Sequence, residues 1–177
     1  MRIISGTHKG RHIKPDKSFT ARPTTDFAKE NIFNVITNYY DISECCVLDL
    51  FAGTGSITYE FASREAVAVT AVEINFKHFA FIKKIIAEFG FKMVSLFKTD
   101  VFIACRKLKG KKFDIIFADP PYQMEKIPEL PNLVFDNELL ADGGMLLIEH
   151  SANTDFSMHP RFSEHRVYGC VNFSLFV

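Results

Sequence analysis

The chain of 177 residues contains no tryptophan, only four cysteines and no net charge. Each shortage excludes something. Cys45 and Cys46 are adjacent while Cys105 and Cys170 stand alone, so neither a CxxC pair nor the spacing of a structural zinc site is present. The thiols are expected to be reduced and mostly buried. His150 and His159 likewise have no partner at ligand spacing, and no metal is expected. No apolar run reaches the ~18 residues needed to span a bilayer, and no charged amino-terminal region precedes an apolar stretch. These features predict a soluble, cytoplasmic protein without membrane contact. Repeats, low-complexity tracts and interdomain linkers are also missing. With 47% hydrophobic residues, the length fits one continuous core and leaves no room for a second full domain.

The zero net charge conceals an asymmetry. Residues 1–22 carry Arg2, Lys9, Arg11, Lys14, Lys17 and Arg22 against Asp16, a net +5, which leaves −5 on the remainder. A short basic arm on an acidic body points to a localised phosphate-contacting surface beside the site of chemistry; charge alone fits a solvated tail equally well. His8 and His12 lie on the same arm. The runs Arg2 to Ile4 and Arg11 to Ile13 flank a turn-rich stretch containing Gly6 and Gly10, which predicts a β-hairpin. Residues 1–22 are therefore expected to form a basic arm and residues 23–177 the main domain.

After Thr25, apolar residues recur at helical spacing over about 26–38. Buried-strand runs then occupy 46–51, 67–72, 94–98, 113–118 and 144–148, separated by amphipathic stretches at 56–64, 75–89, 101–108 and 129–140. That alternation predicts an α/β fold with a mostly parallel sheet, and residues 166–177 read as a closing antiparallel hairpin.

Two motifs carry chemistry. The first is the apolar strand from Val47 that ends in Asp49, Leu50, Phe51, Ala52, Gly53, Thr54 and Gly55. Glycines remove the Cβ atoms that would block a close ligand, and amides at the start of the next helix face an anionic group. A purely structural tight turn is the plain alternative. The following strand ends at Glu73, 20 residues after Gly53, where a carboxylate can grip the two hydroxyls of a ribose. Asp100 ends the third strand and suits an adenine amino group, an N-cap role, or both.

The second motif is Asp119, Pro120, Pro121 and Tyr122 at the end of the fourth strand. It fits methylation of an exocyclic base amine, a poor nucleophile because its lone pair is delocalised into the ring. The Asp119 side chain and the Pro120 carbonyl can accept the amine hydrogens and offset the charge that develops during attack. The prolines stiffen those acceptors, and Tyr122 offers a face on which an extruded base can stack. A structural Pro-Pro turn is the alternative.

With both motifs in place, the sequence resembles the DPPY-type amino methyltransferases, and more narrowly the RsmD family of small-subunit ribosomal RNA guanine-N2 methyltransferases. The resemblance includes Met1 to Gly6, Gly10, Arg11, Arg22 to Asp26, Glu30, Phe33, Asn34, Asp49 to Gly55, Glu73, Asp119 to Tyr122, Glu149, Tyr168 and Gly169. It implies a Rossmann-like seven-stranded sheet, S-adenosyl-L-methionine as cofactor, and 16S ribosomal RNA as substrate, in an assembled or partly assembled small subunit. By similarity Thr25, Asp26, Asp49, Phe51, Ala52, Gly53, Gly55, Glu73 and Asp100 surround the cofactor. Asp119, Pro120 and Tyr122 hold the guanine, and Arg2, Lys9, Arg11, Lys14 and Arg22 contact RNA. Phe27, Lys29 and Cys170 depart from the family pattern, the first two on the expected RNA-docking surface. The alternatives are an adenine-N6 methyltransferase, which shares both motifs, and a catalytically silent RNA-binding protein. A dinucleotide-dependent oxidoreductase leaves Asp119 to Tyr122 unexplained.

Overall fold

The computed structural model describes residues 1–15, 19 and 25–177. Arg22, expected to contact RNA, lies outside the described residues, as do Pro23 and Thr24. Seven strands form one sheet: β1 (Cys46–Asp49), β2 (Ala68–Glu73), β3 (Val94–Lys98), β4 (Phe113–Ala118), β5 (Leu140–His150), β6 (Phe162–Tyr168) and β7 (Val171–Phe176). Their spatial order is β3-β2-β1-β4-β5-β7-β6. The first five run parallel, whereas β7 pairs antiparallel with both β5 and β6. The chain thus moves outward from β1 to β3 and returns to start again at β4, which opens a crevice between the carboxyl ends of β1 and β4.

Helices α1 (Asp26–Tyr39), α2 (Ser56–Ser63) and α3 (Phe76–Phe89) cover one face of the sheet, with Ile32, Phe33, Ile57, Phe61, Ile82 and Ile85 turned inward. Helices α4 (Val101–Lys107) and α5 (Leu130–Asp136) cover the other through Ala104, Cys105, Leu130 and Val134. The starts of three helices follow from their caps. The Thr25 hydroxyl accepts from the Ala28 amide, Asn75 from those of Lys77 and His78, and Asp100 from those of Phe102 and Ile103. No helix among the described residues is long and apolar enough to cross a membrane.

Several boundaries differ from the sequence expectation. Strand β1 stops at Asp49 because the chain then bends into the glycine loop. Helix α5 ends at Asp136, not 140, since Glu138 takes a positive φ of 53° and turns the chain back toward the sheet. Strand β5 starts at Leu140, which pairs with Phe113; Ala141 to Gly144 then form an irregularity that lacks the apolar signature, and regular pairing with β4 resumes at Met145. Strand β6 likewise starts at Phe162, four residues before the expected hairpin.

At the amino terminus the two expected runs pair as a short hairpin, through the Arg2 to His12 bridge and backbone hydrogen bonds from Ile3 to Arg11, Gly10 to Ile3 and Ile13 to Met1. Beyond the paired residues, the amides of Ile4 and Ser5 face the domain and donate to the Glu60 carboxylate, at 2.8 and 3.0 Å. Ile3 and Ile13 are buried against Tyr59, Ala62 and Phe91, so the segment is docked on the domain rather than projecting from it. Gly6 is required for this contact: a Cβ there would lie 1.9 Å from the Ser63 carbonyl oxygen, the group to which the Thr7 amide donates.

Candidate active site

Val47, Val69, Phe117 and Leu147 turn toward the same core face. Stepping outward in twos along each strand brings Asp49, Glu73, Asp119 and Glu149 to that face at the carboxyl edge of the sheet. Four carboxylates on four neighbouring strands thus border the crevice between β1 and β4.

Asp49 is 1% exposed. Its Oδ2 accepts from the Thr58 hydroxyl at 2.6 Å, while Oδ1 has no hydrogen-bond partner among the described residues. Burial pushes the carboxyl up to about 7 against the opposing pull of Thr58. Beyond Asp49 the loop is held from two sides, with the Ala52 amide donating to the Val72 carbonyl at 2.9 Å and the Gly53 amide to Glu73 Oε2 at 2.7 Å. Glu73 Oε1 accepts from the Asn75 amide at 2.6 Å and lies 3.7 Å from His78 Nδ1. Burial raises the Glu73 carboxyl, partly offset by the Asn75 amide and by His78. Gly55 has φ +88°, and a Cβ on it would sit 2.3 Å from the Tyr59 ring, so only glycine lets the loop close over that ring. Phe51 is half-buried and Ala52 buried beside it. The structure therefore brings Asp49, Phe51, Ala52, Gly53, Gly55 and Glu73 together. A buried acceptor without a partner beside a second carboxylate suits a ligand that carries both a cationic amine and hydroxyls.

The other expected cofactor residues are engaged differently. Thr25 caps α1 with its hydroxyl, and Asp26 lies 3.6 Å from the Arg2 guanidinium. Asp100 stands at the carboxyl end of β3 with its carboxylate on the first amides of α4, the N-cap role foreseen for it. Ile74, 65% exposed directly after Glu73, presents an apolar surface that the sequence reading passed over.

Asp119 is half-buried at the end of β4 and Pro120 is buried behind it, while Tyr122 is 50% exposed. The Tyr122 hydroxyl donates to Glu149 Oε1 at 3.0 Å. Burial and the neighbouring Glu149 carboxylate, with smaller effects from Asp119 and Cys170, hold the phenol well above its ordinary value. Asp119, Tyr122 and Glu149 therefore share one corner of the crevice, and the Tyr122 to Glu149 bond had no signal in the spacing of the two residues.

Lys9, Arg11 and Lys14 are exposed on the docked amino-terminal segment, with the Arg11 guanidinium 5.4 Å from the centre of the Phe89 ring. His8 stacks on the same ring at 5.4 Å. Arg2 is exposed but pairs with Asp26. Lys29, expected at the RNA-docking surface, is 1% exposed: its ammonium donates to the Arg2 carbonyl at 2.6 Å and lies 3.7 Å from Glu60. Four apolar-stripe positions, 29, 32, 33 and 36, carry the physical reason, because that helical spacing turns Lys29 into the core with its neighbours.

The family model described as conserved hypothetical protein 95 matches residues 1–177. The chain is 35% identical over 147 residues to ribosomal RNA small subunit methyltransferase D of Buchnera aphidicola, covering 83% of this chain and 76% of that one. It is 32% identical over 186 residues to the protein of the same name in Escherichia coli, covering 99% and 89%. Among solved structures, the Escherichia coli protein yhhF superposes with a TM-score of 0.85 at 29% identity, covering 99% of this chain and 96% of that one. A hypothetical protein of Thermus thermophilus gives 0.87 at 25% identity, covering 99% and 98%. The chain belongs to the family described as conserved hypothetical protein 95, the RsmD family.

Proposed function

We propose that this chain transfers a methyl group from S-adenosyl-L-methionine to the exocyclic N2 amine of a guanine in 16S ribosomal RNA. The observation that carries the reading is the placement of Asp119, Pro120 and Tyr122 across the β1/β4 crevice from the Asp49 to Gly55 loop. The names of the relatives and the structure of SMU.776, solved in complex with SAH at 17% identity, support the same reaction class and cofactor.

The residues present fit the cofactor. Asp49 Oδ1, buried without a partner among the described residues, is an acceptor for the methionine ammonium, and Glu73 for the ribose hydroxyls. When bound, the cofactor supplies an electrophilic methyl on sulfur. Asp119 and the Pro120 carbonyl accept the amine hydrogens, orient the nitrogen lone pair and offset the positive charge that grows on it. Tyr122 stacks on the target base, and positioning supplies much of the acceleration. The exposed Lys9, Arg11 and Lys14, on the segment docked at the far end of α2, hold RNA phosphates away from this corner.

The test is transfer of labelled methyl to purified small ribosomal subunits that lack the modification, followed by nucleoside analysis of the digested RNA. Label in N2-methylguanosine is the expected result. Label in N6-methyladenosine keeps the amine chemistry and overturns the base. Cofactor binding without transfer to any RNA overturns the reading.

A further inference from the structure

We propose that Glu149 is the positioning residue of the base-stacking platform: its carboxylate holds the Tyr122 ring in place by accepting the phenolic hydrogen. The inference rests on the amine-methylation reading and extends it to a residue with no direct part in the chemistry.

Tyr122 sits on the loop after two prolines and its ring is half in solvent. A side chain so placed is free to change rotamer unless its far end is tethered. Glu149 is its opposite. It lies in β5, paired on one side with β4 and on the other with β7 through Phe173, and is 3% exposed. The 3.0 Å bond thus joins the half-exposed ring to a buried side chain of a strand paired on both sides. A carboxylate acceptor makes that bond stronger than a neutral one would. Asp119 stands at the end of the adjoining strand on the same face, so a ring fixed from Glu149 is also fixed relative to the group that orients the amine. Stacking on a platform in a set plane places the base nitrogen in line with the methyl; stacking on a loose one spreads it over many orientations.

A merely structural bond, there to satisfy a buried carboxylate, predicts different behaviour. Methyl transfer to small ribosomal subunits is measured for the intact chain, Glu149→Leu, Glu149→Gln, Tyr122→Phe and the Glu149→Leu/Tyr122→Phe pair. Glu149→Leu and Tyr122→Phe are each expected to lower kcat roughly tenfold, as loss of a charge-assisted hydrogen bond does, with KM for the subunit little changed. The paired variant should lose no more than either alone, because both remove the same bond. Glu149→Gln, which keeps an acceptor, should recover most of the rate.

Losses that multiply in the paired variant overturn the proposal, as does full activity of Tyr122→Phe. Nuclear magnetic resonance of ring-labelled tyrosine gives a readout independent of transfer. The signal that vanishes in Tyr122→Phe should shift and broaden in Glu149→Leu, and an unaltered signal overturns the tether. A tether visible by resonance in a chain that methylates no RNA removes the amine-methylation reading and the platform role with it, and leaves the tether standing.

Discussion

Lys29 and Glu60 meet at 3.7 Å with neither side chain reaching solvent. Around this pair the amino-terminal segment is fastened to the domain. Glu60 also accepts the amides of Ile4 and Ser5 and the Arg64 guanidinium, while Lys29 donates to the Arg2 carbonyl and the Ser56 hydroxyl. Burial lowers the Lys29 pKa, and Glu60 is the main group opposing that shift.

Replacing Glu60 by leucine leaves the Lys29 ammonium buried without its counter-ion and frees two backbone amides. The expected loss is about 3 kcal/mol in urea unfolding, the range for breaking one partner of a buried pair. Amide hydrogen exchange should speed up at residues 1–13 before it does in the sheet. Equal protection in both regions would show that the pair does not fasten the segment.

The two ends of the crevice should separate by assay. Asp119→Ala is expected to reduce transfer by about two to three orders of magnitude while calorimetry still detects cofactor binding. Glu73→Ala should weaken cofactor binding first, since its carboxylate also holds the Gly53 amide. Equal loss of cofactor binding in both variants would contradict this division of labour.

Asp49 ties stability to pH. Its carboxyl is held up to about 7 in the folded state, against 3.8 for the free group. The folded chain therefore keeps a proton that the unfolded chain releases, and the associated stability is full below about pH 4 and lost as pH rises through about 7, on the order of a few kcal/mol. Asp49→Asn should flatten that slope in thermal unfolding at a series of pH values. The same shift predicts that cofactor affinity in the native chain rises across neutrality, as the group that would accept the ammonium loses its proton. An affinity flat with pH would count against Oδ1 as the acceptor.

Gly55→Ala brings a methyl within 2.3 Å of the Tyr59 ring at a backbone angle that L residues avoid. Cofactor binding should be lost, with a stability loss of about 2 kcal/mol or more. The paired change Gly55→Ala/Tyr59→Leu should relieve the clash and restore part of the stability but not the backbone angle.

Neutralising Lys9, Arg11 and Lys14 together should lower the steepness with which RNA affinity falls with salt, by about two to three in the logarithmic slope. Filter binding over a salt series measures it, and an unchanged slope would place the RNA path elsewhere.

The sheet was legible because β1, β2 and β4 are buried on both faces and read as apolar runs; these and the more exposed edge strand β3 fall within two residues of their expected places. The carboxylates at the strand ends were legible for the same reason, since strand ends fix which side chains border the crevice. What escaped depended on partners remote in sequence. Nothing near Ile4 and Ser5 announces that Glu60, over fifty residues away, takes their amides and so docks the hairpin on the domain. Lys29 stands where the resembled family carries docking-surface residues, although its helical phase with Ile32, Phe33 and Ile36 points to the interior. The opening of β5 escaped because Asp142, Gly143 and Gly144 are poor strand formers that lie in an irregularity between the paired Leu140 and Met145.

Helix α2 spans only eight residues, about 12 Å at the usual rise per residue. Its first turn carries the glycine loop and its last turn carries the docked residues 4–8. It therefore acts as a strut between the surface proposed to grip phosphates and the pocket proposed to hold the methyl donor. On that proposal, an RNA held at one end would meet the chemistry at a set reach, and selection among chemically identical bases would be a matter of length rather than of sequence.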